Sequence, residues 1–139
     1  MRKLVSTLLL LGFYGVVNAQ TETETVNWLK QNQSKLDHVN CQQLNIYGDY
    51  FEINDDHVRL YNDLKQECKI TWNNVKKVSF DNDFIYVVSK DKLNEENIRL
   101  KLFIADQSMR SRFGKAVQHL ATIKTNTIAE HDQILPVMF

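Results

Sequence analysis

Glycine is scarce in this chain, with four in 139 residues, and Gly12 and Gly15 lie in its leading segment. The other two, Gly48 and Gly114, stand far apart, so no glycine-rich loop is available to cradle a phosphate. Neither charge sign dominates, with 17 basic and 17 acidic residues. Nucleic acid and anionic membranes need a basic footprint, and neither is expected as a partner. Long apolar runs are missing too, and none reaches the roughly 20 residues that span a bilayer. HExxH, GxSxG and CxxC are absent, which removes the short signatures of zinc hydrolases, serine hydrolases and thioredoxin-type proteins. Asn and Gln are frequent but dispersed, and no repeat or low-complexity tract occurs.

What is present begins at the N-terminus. Arg2 and Lys3 precede a mostly apolar stretch over residues 4–17, centred on Leu8, Leu9, Leu10 and Leu11. Val17 and Ala19 then occupy the −3 and −1 positions of a cleavage site before Gln20. Together these parts read as a secretory signal peptide over residues 1–19, so the expected location is secreted or periplasmic. An uncleaved anchor is the alternative, for which the apolar stretch is short. No cysteine sits just after the cleavage site, and a lipoprotein anchor is not indicated. Residues 20–139 then make a single domain of ordinary size, able to bury a core without metals. Without Arg2 and Lys3, acids exceed bases by two.

Both cysteines, Cys41 and Cys68, fall in this mature part. An even count in an exported chain is more often bridged than free, and a Cys41–Cys68 disulfide is expected. Two separate buried thiols, acting as small hydrophobes, are the alternative.

Alternating Thr and Glu over residues 21–25 supply N-cap oxygens and first-turn acids for a helix. Val26, Leu29 and Leu36 follow near one stripe, with Trp28 at its edge, predicting a short amphipathic helix. Asn32, Gln33 and Ser34 match a glycosylation sequon, relevant only in a eukaryotic secretory pathway. From residue 41 to 104 the period falls to two. Leu44 and Ile46, Phe51 and Ile53, then Val58 and Leu60 alternate with polar neighbours. Gly48 interrupts them as a bulge or bend, and residues 54–56 and 81–83 read as turns. Ile70 with Trp72, the group Val75, Val78 and Phe80, and the run 84–88 add further strands. The clearest strand puts Ile98, Leu100, Leu102 and Ile104 on one face and Arg99, Lys101 and Phe103 on the other.

After Asp106 the period turns helical: Met109, Phe113, Ala116, Val117, Leu120 and Ile123 form one stripe. Asp106 or Ser108 is the expected cap, and Phe113, Val117 and Leu120 are expected to face Leu100 and Leu102. The apolar end, with Ile134, Leu135, Val137, Met138 and Phe139, is expected to tuck against the domain. The fold class is therefore α+β. A short N-terminal helix precedes about five or six antiparallel strands in a meander or partly closed barrel, and a long C-terminal helix follows.

Three stretches carry a resemblance. They are the hairpin over residues 51–60, the segment Ile70, Thr71, Trp72, Asn73, Asn74, Val75, Lys76, Lys77, Val78, and the strand-to-helix unit over residues 98–120. The arrangement resembles the pleckstrin-homology-like superfold, including its GRAM and bacterial variants, and small secreted proteins of the Bacteroidetes type. In that superfold the middle segment often reads W-x-x-I-x-x-V, and the last unit ends in a helix that plugs one mouth of a barrel. Its lipid-binding members hold inositol phosphates with a basic cluster between the first two strands. Here that loop is Asn54, Asp55 and Asp56, which repels phosphate, so no phosphoinositide is expected. Superfolds host many functions, and the resemblance implies no particular ligand.

No residue set specifies a reaction, and no catalytic, cofactor or metal residue is assigned. His57, beside Asp55 and Asp56, suits a polar hairpin tip as well as an oriented imidazole. His38, His119 and His131 have no ligand-spaced partners. Asp55 with Asp56, and Glu95 with Glu96, read as solvated turn acids. Lys76 with Lys77, and Arg110 with Arg112 and Lys115, read as solvated faces. Tyr47, Tyr50, Tyr61 and Tyr86 hint at a recognition groove on the sheet. The expected function is an exported, non-enzymatic binding or interaction domain. Its partner would be a peptide, a protein or another envelope component, met through a sheet edge or strand loops. The alternative is a small ligand-cavity or hydrolase-like enzyme on an NTF2-like or barrel fold, with His57 and nearby acids in a deep pocket.

Overall fold

The computed structural model describes residues 21–48 and 50–125. The signal segment, His131 and the apolar end lie outside them. Thr21 starts helix α1 (Glu22–Asn32) through a reciprocal box. Its Oγ1 accepts from the Glu24 N–H, and Glu24 Oε1 accepts from the Thr21 N–H. Two donors that a helix start leaves open are thereby satisfied. Val26 and Leu29 are buried. The helix stops earlier than its apolar stripe suggested, and a 3-10 turn (Gln33–Lys35) carries the chain past Leu36.

Eight strands follow: β1 (His38–Cys41), β2 (Ile46–Tyr47), β3 (Tyr50–Ile53), β4 (His57–Tyr61), β5 (Glu67–Thr71), β6 (Val75–Phe80), β7 (Ile85–Leu93) and β8 (Glu96–Phe103). They form a five-stranded sheet in the order β2-β1-β8-β7-β6 and a three-stranded sheet in the order β3-β4-β5. Every pairing is antiparallel. The molecule is α+β with a short first helix and a long last one, and neither sheet closes into a barrel. The chain leaves the larger sheet for the smaller at Gly48. Its N–H donates to Val39 O at 3.1 Å. A Cβ there would stand 1.9 Å from Leu60 Cδ1, so this crossing needs a residue without one.

The inward residues of both sheets meet in one core. Val39, Cys41, Val78, Ile85, Val87, Leu100 and Leu102 come from the larger sheet, and Ile53, Val58, Leu60, Cys68 and Ile70 from the smaller. Trp72, read as part of a strand, instead opens a 3-10 turn (Trp72–Asn74). Its indole is 1 % exposed and its Nε1–H donates to Asn54 O at 2.9 Å. One 3-10 turn puts Val75 on the side of Trp72. The pairing of β6 with β7 then slips between Val75 and Lys77, and this bulge returns Val78 to the core. The three-residue spacing of Trp72, Val75 and Val78 thus follows from a turn and a bulge. The bulge also leaves Lys76 and Lys77 both in solvent.

Helix α2 (Gln107–Thr125) is capped by Asp106, whose Oδ1 accepts from the N–H groups of Ser108 and Met109. Phe113, Ala116, Val117 and Leu120 are fully buried and share the core cluster with Leu100 and Leu102. The nearest neighbours of α2 are α1, β6 and the Trp72–Asn74 turn, and the Phe113 and Trp28 rings lie 6.2 Å apart. Among the described residues no helix is long and apolar enough to cross a membrane.

Candidate functional site

His57 sits at the tip of the β3–β4 hairpin, where residues 54–56 turn the chain. Its Nε2 lies 2.7 Å from Glu52 Oε1 and its Nδ1 2.8 Å from Asp56 Oδ2. The hydrogen bond from His57 holds the Asp56 carboxyl below its ordinary value. Glu52 also faces Arg59 at 3.6 Å, and Glu67 closes on the other side of the same guanidinium. The result is a chain of alternating charges across β3, β4 and β5. Each ring nitrogen of His57 thus has a carboxylate oxygen within hydrogen-bond distance.

The other two described histidines lie on other elements. His38 stacks on Phe103 at 5.9 Å, and His119 is buried on α2. Among the described residues no three His, Cys, Asp or Glu side chains are arranged to hold a metal ion.

The cysteines do meet. Cys41 ends β1 in one sheet and Cys68 lies in β5 of the other, so they face each other across the interior. Their sulfurs are 2.7 Å apart, near the length of an S–S bond but not at it. Both are free thiols and buried. Cys68 donates to Cys41, which lowers the Cys41 pKa and raises that of Cys68. Beside them, where β1 parts from β3 and β4, opens a cleft of about 390 Å³ floored by Leu36, Val39, Phe51 and Leu60. His57 does not line it.

The outer face of the five-stranded sheet is different in kind. One row runs Tyr47, Asn40, Lys101, Tyr86 and Ser79 in register across all five strands. A second row runs Arg99, Val88 and Lys77. Lys101 Nζ lies 3.9 Å from the centre of the Phe84 ring, and the Arg99 guanidinium 5.3 Å from that of Tyr86. Phe84 and Phe103 contact each other at 5.6 Å. A broad groove of about 500 Å³ lies on this face, lined among others by Lys76, Lys77, Tyr86 and Arg99 over the floor of Val88. Glu95 and Glu96 border one end of it. Among the described residues no carboxylate comes within ion-pair distance of Lys77, Arg99 or Lys101. The ion pairs present are His57 with Glu52 and Asp56, Arg59 with Glu52 and Glu67, and Lys124 with Glu22.

This arrangement divides the residues singled out in the sequence. Tyr47 and Tyr86 share the first row, whereas Tyr50 and Tyr61 stack on each other at 5.1 Å on the smaller sheet. Lys76 and Lys77 join Arg99 in the groove. Arg110 instead donates to Ile104 O and Asn82 O, tying α2 to the strands, and Arg112 lies over Trp28. The residues of this face that sequence reasoning did not single out are Arg99 and Lys101. Their alternation with apolar residues on one strand was visible, but the row from other strands that completes the face was not. Comparison with known proteins adds nothing: no family model, curated protein or solved structure matches this chain.

Proposed function

We propose that this is an exported, non-enzymatic binding domain that holds an anionic envelope component on the outer face of its five-stranded sheet. One observation carries the reading, namely the contrast in charge pairing between the two sheets. On the smaller sheet His57 and Arg59 are matched by Glu52, Asp56 and Glu67. On the larger, Arg99 and Lys101 lie over the Tyr86 and Phe84 rings, and among the described residues neither they nor Lys77 has a carboxylate within ion-pair distance. Cations placed together and outside direct ion pairs attract an anionic surface and steer its approach. The carboxylates that border this patch are Asp81, whose charge bears on Lys101, and Glu95 and Glu96 at the groove. The hydrolase-like alternative loses support at His57, both of whose nitrogens are engaged by carboxylates.

Export belongs to the same proposal, on Arg2, Lys3, the apolar stretch and the Val17-Asn18-Ala19 site. So does the pleckstrin-homology-like resemblance, on its sequence pattern, and a disulfide between Cys41 and Cys68. Protein recovered from outside the cytoplasm should begin at or near Gln20, and recovery of the intact Met1 form embedded in membrane would overturn export. The binding face is tested by lysine acetylation of intact cells that make the protein, compared with the purified protein. Lys77 and Lys101 should be protected in the cells, while Lys65 and Lys69 on the smaller sheet react equally in both. Equal reactivity at all four lysines would refute an occupied face.

A further inference from the structure

We propose that the anionic ligand is an acidic polysaccharide lying across β6, β7 and β8. This rests on the binding reading above and names its ligand class. Spacing is the first reason. Arg99 and Lys101 alternate on β8, so they are about 6.8 Å apart along the strand. Lys77 stands two strands from Arg99, through Val88, which is roughly 9.6 Å across the sheet. These are main-chain separations. At their charged ends Arg99 lies over the Tyr86 ring and Lys101 over the Phe84 ring, so the two cations are held at separate rings rather than turned toward one anion. A polymer with charges at intervals meets all three cations.

The groove also holds neutral hydrogen-bonding groups between its cations. Gln43, Ser79, Asn97 and Tyr86 line it, hydroxyl and amide groups able to meet sugar hydroxyls. The Tyr86 hydroxyl, which donates to Asp81, does so only as an acceptor. Nucleic acid is a poorer fit, because bases stack on open aromatic faces. Here Lys101 already covers Phe84 and Arg99 covers Tyr86. An acidic peptide fits less well too. Extended peptides bind by adding a strand to a sheet edge. The edges of this sheet are β2 and β6, whereas Tyr86, Arg99 and Lys101 lie on the inner strands β7 and β8, whose main chains are paired on both sides. Glu95 and Glu96 repel a polyanion at one end of the groove, so the ligand extends from Arg99 toward Lys101 and Tyr47.

The exported full chain is to be titrated calorimetrically with polygalacturonate, dextran sulfate, neutral dextran, poly-glutamate and single-stranded DNA. At least one of the two acidic polysaccharides should bind more tightly than poly-glutamate and DNA, with affinity falling as salt rises, and neutral dextran should not bind. The triple variant Lys77→Gln, Arg99→Gln, Lys101→Gln should weaken that binding roughly tenfold or more. Its two lost cation–π contacts should lower the thermal midpoint by no more than about 10 °C and leave the variant folded. Lys69→Gln, on the smaller sheet, should bind like the parent. The proposal is refuted if neither acidic polysaccharide binds, if the triple variant binds like the parent, or if poly-glutamate or DNA binds more tightly. Protection of Lys77 and Lys101 in intact cells without polysaccharide binding would sink the ligand class alone and leave the binding reading standing.

Discussion

Single side chains on the larger sheet are held in place by pairs that titrate at opposite ends of the pH scale. Asp81 accepts from the N–H groups of Asp83 and Phe84 and from the Tyr86 hydroxyl, and in that order these pull its carboxyl below the ordinary 3.8. Burial first, and the bond to Asp81 second, push the Tyr86 phenol above its ordinary 10.0. The folded state therefore favours ionised Asp81 and protonated Tyr86. The Asp81 contribution is present above the ordinary carboxyl range and is lost as pH falls through its folded value. The Tyr86 contribution is present below the ordinary phenol value and is lost as pH rises through its folded one. Tyr86→Phe should consequently melt below the parent between about pH 5 and 9, with the gap closing above about pH 11. A gap that persists unchanged at high pH would mean that the hydroxyl is not responsible. Gly48 is a second single-residue constraint. Gly48→Ala drives a methyl into fully buried Leu60 and should cost about 1–3 kcal/mol in urea unfolding. An unmoved midpoint would show that the crossing between the sheets has room to spare.

Whole elements test the register of the packing. On α2, Phe113 is fully buried against Trp28 while its neighbour Arg112 is exposed above the same ring. Phe113→Ala should cost about 3–5 kcal/mol, and Arg112→Ala no more than about 1 kcal/mol, the worth of an exposed cation–π contact. Comparable losses in the two variants would place the helix in another register. The stripe behind this contrast was legible in the sequence, because helical periodicity needs only local spacing. The cap was legible as a choice between Asp106 and Ser108, and Asp106 fills it. The strands were read less completely. The β7–β8 hairpin turns through Asn94 and Glu95, both at positive φ (55° and 69°), as a two-residue primed turn requires. Glu95 and Glu96 read as turn acids in the sequence, but with glutamate where glycine is the usual signal the segment did not mark Asn94 and Glu95 as the two residues that make the turn. The division into two sheets was hidden as well, since alternation tells which residues share a face but not which strands pair. The candidate face shares that limit. Arg99 and Lys101 were legible as one side of a strand, but their alignment with Tyr86, Lys77 and Tyr47 comes from register between strands distant in the chain. The bulge after Val75, which turns both Lys76 and Lys77 outward, breaks the period that sequence reading relies on.

For the molecule as a whole, the proposed Cys41–Cys68 bond would be a covalent tie between the two sheets. β1 and β5 are not hydrogen-bonded to each other, and packing in the shared core holds them face to face. A bond there closes the chain between residues 41 and 68, a loop for which the chain-entropy model gives about 3–4 kcal/mol of stability. It also fixes the separation of Val39 and Leu60, which floor the cleft at the seam. Forming it removes two protons and two electrons from the thiols, which oxidised glutathione or an oxidised dithiol protein accepts by exchange. With the sulfurs buried, such a partner cannot reach them in the closed fold, so the bond must form before the sheets come together. The purified chain, unfolded in denaturant and refolded with a glutathione redox pair, should accordingly show no free thiol when denatured again without reductant. Its reduced form should unfold at distinctly lower urea concentration. In the Cys41→Ala, Cys68→Ala double variant the midpoint should ignore reductant. Two free thiols in the denatured, unreduced protein would exclude the bond and leave the pair as neighbouring hydrophobes in the core.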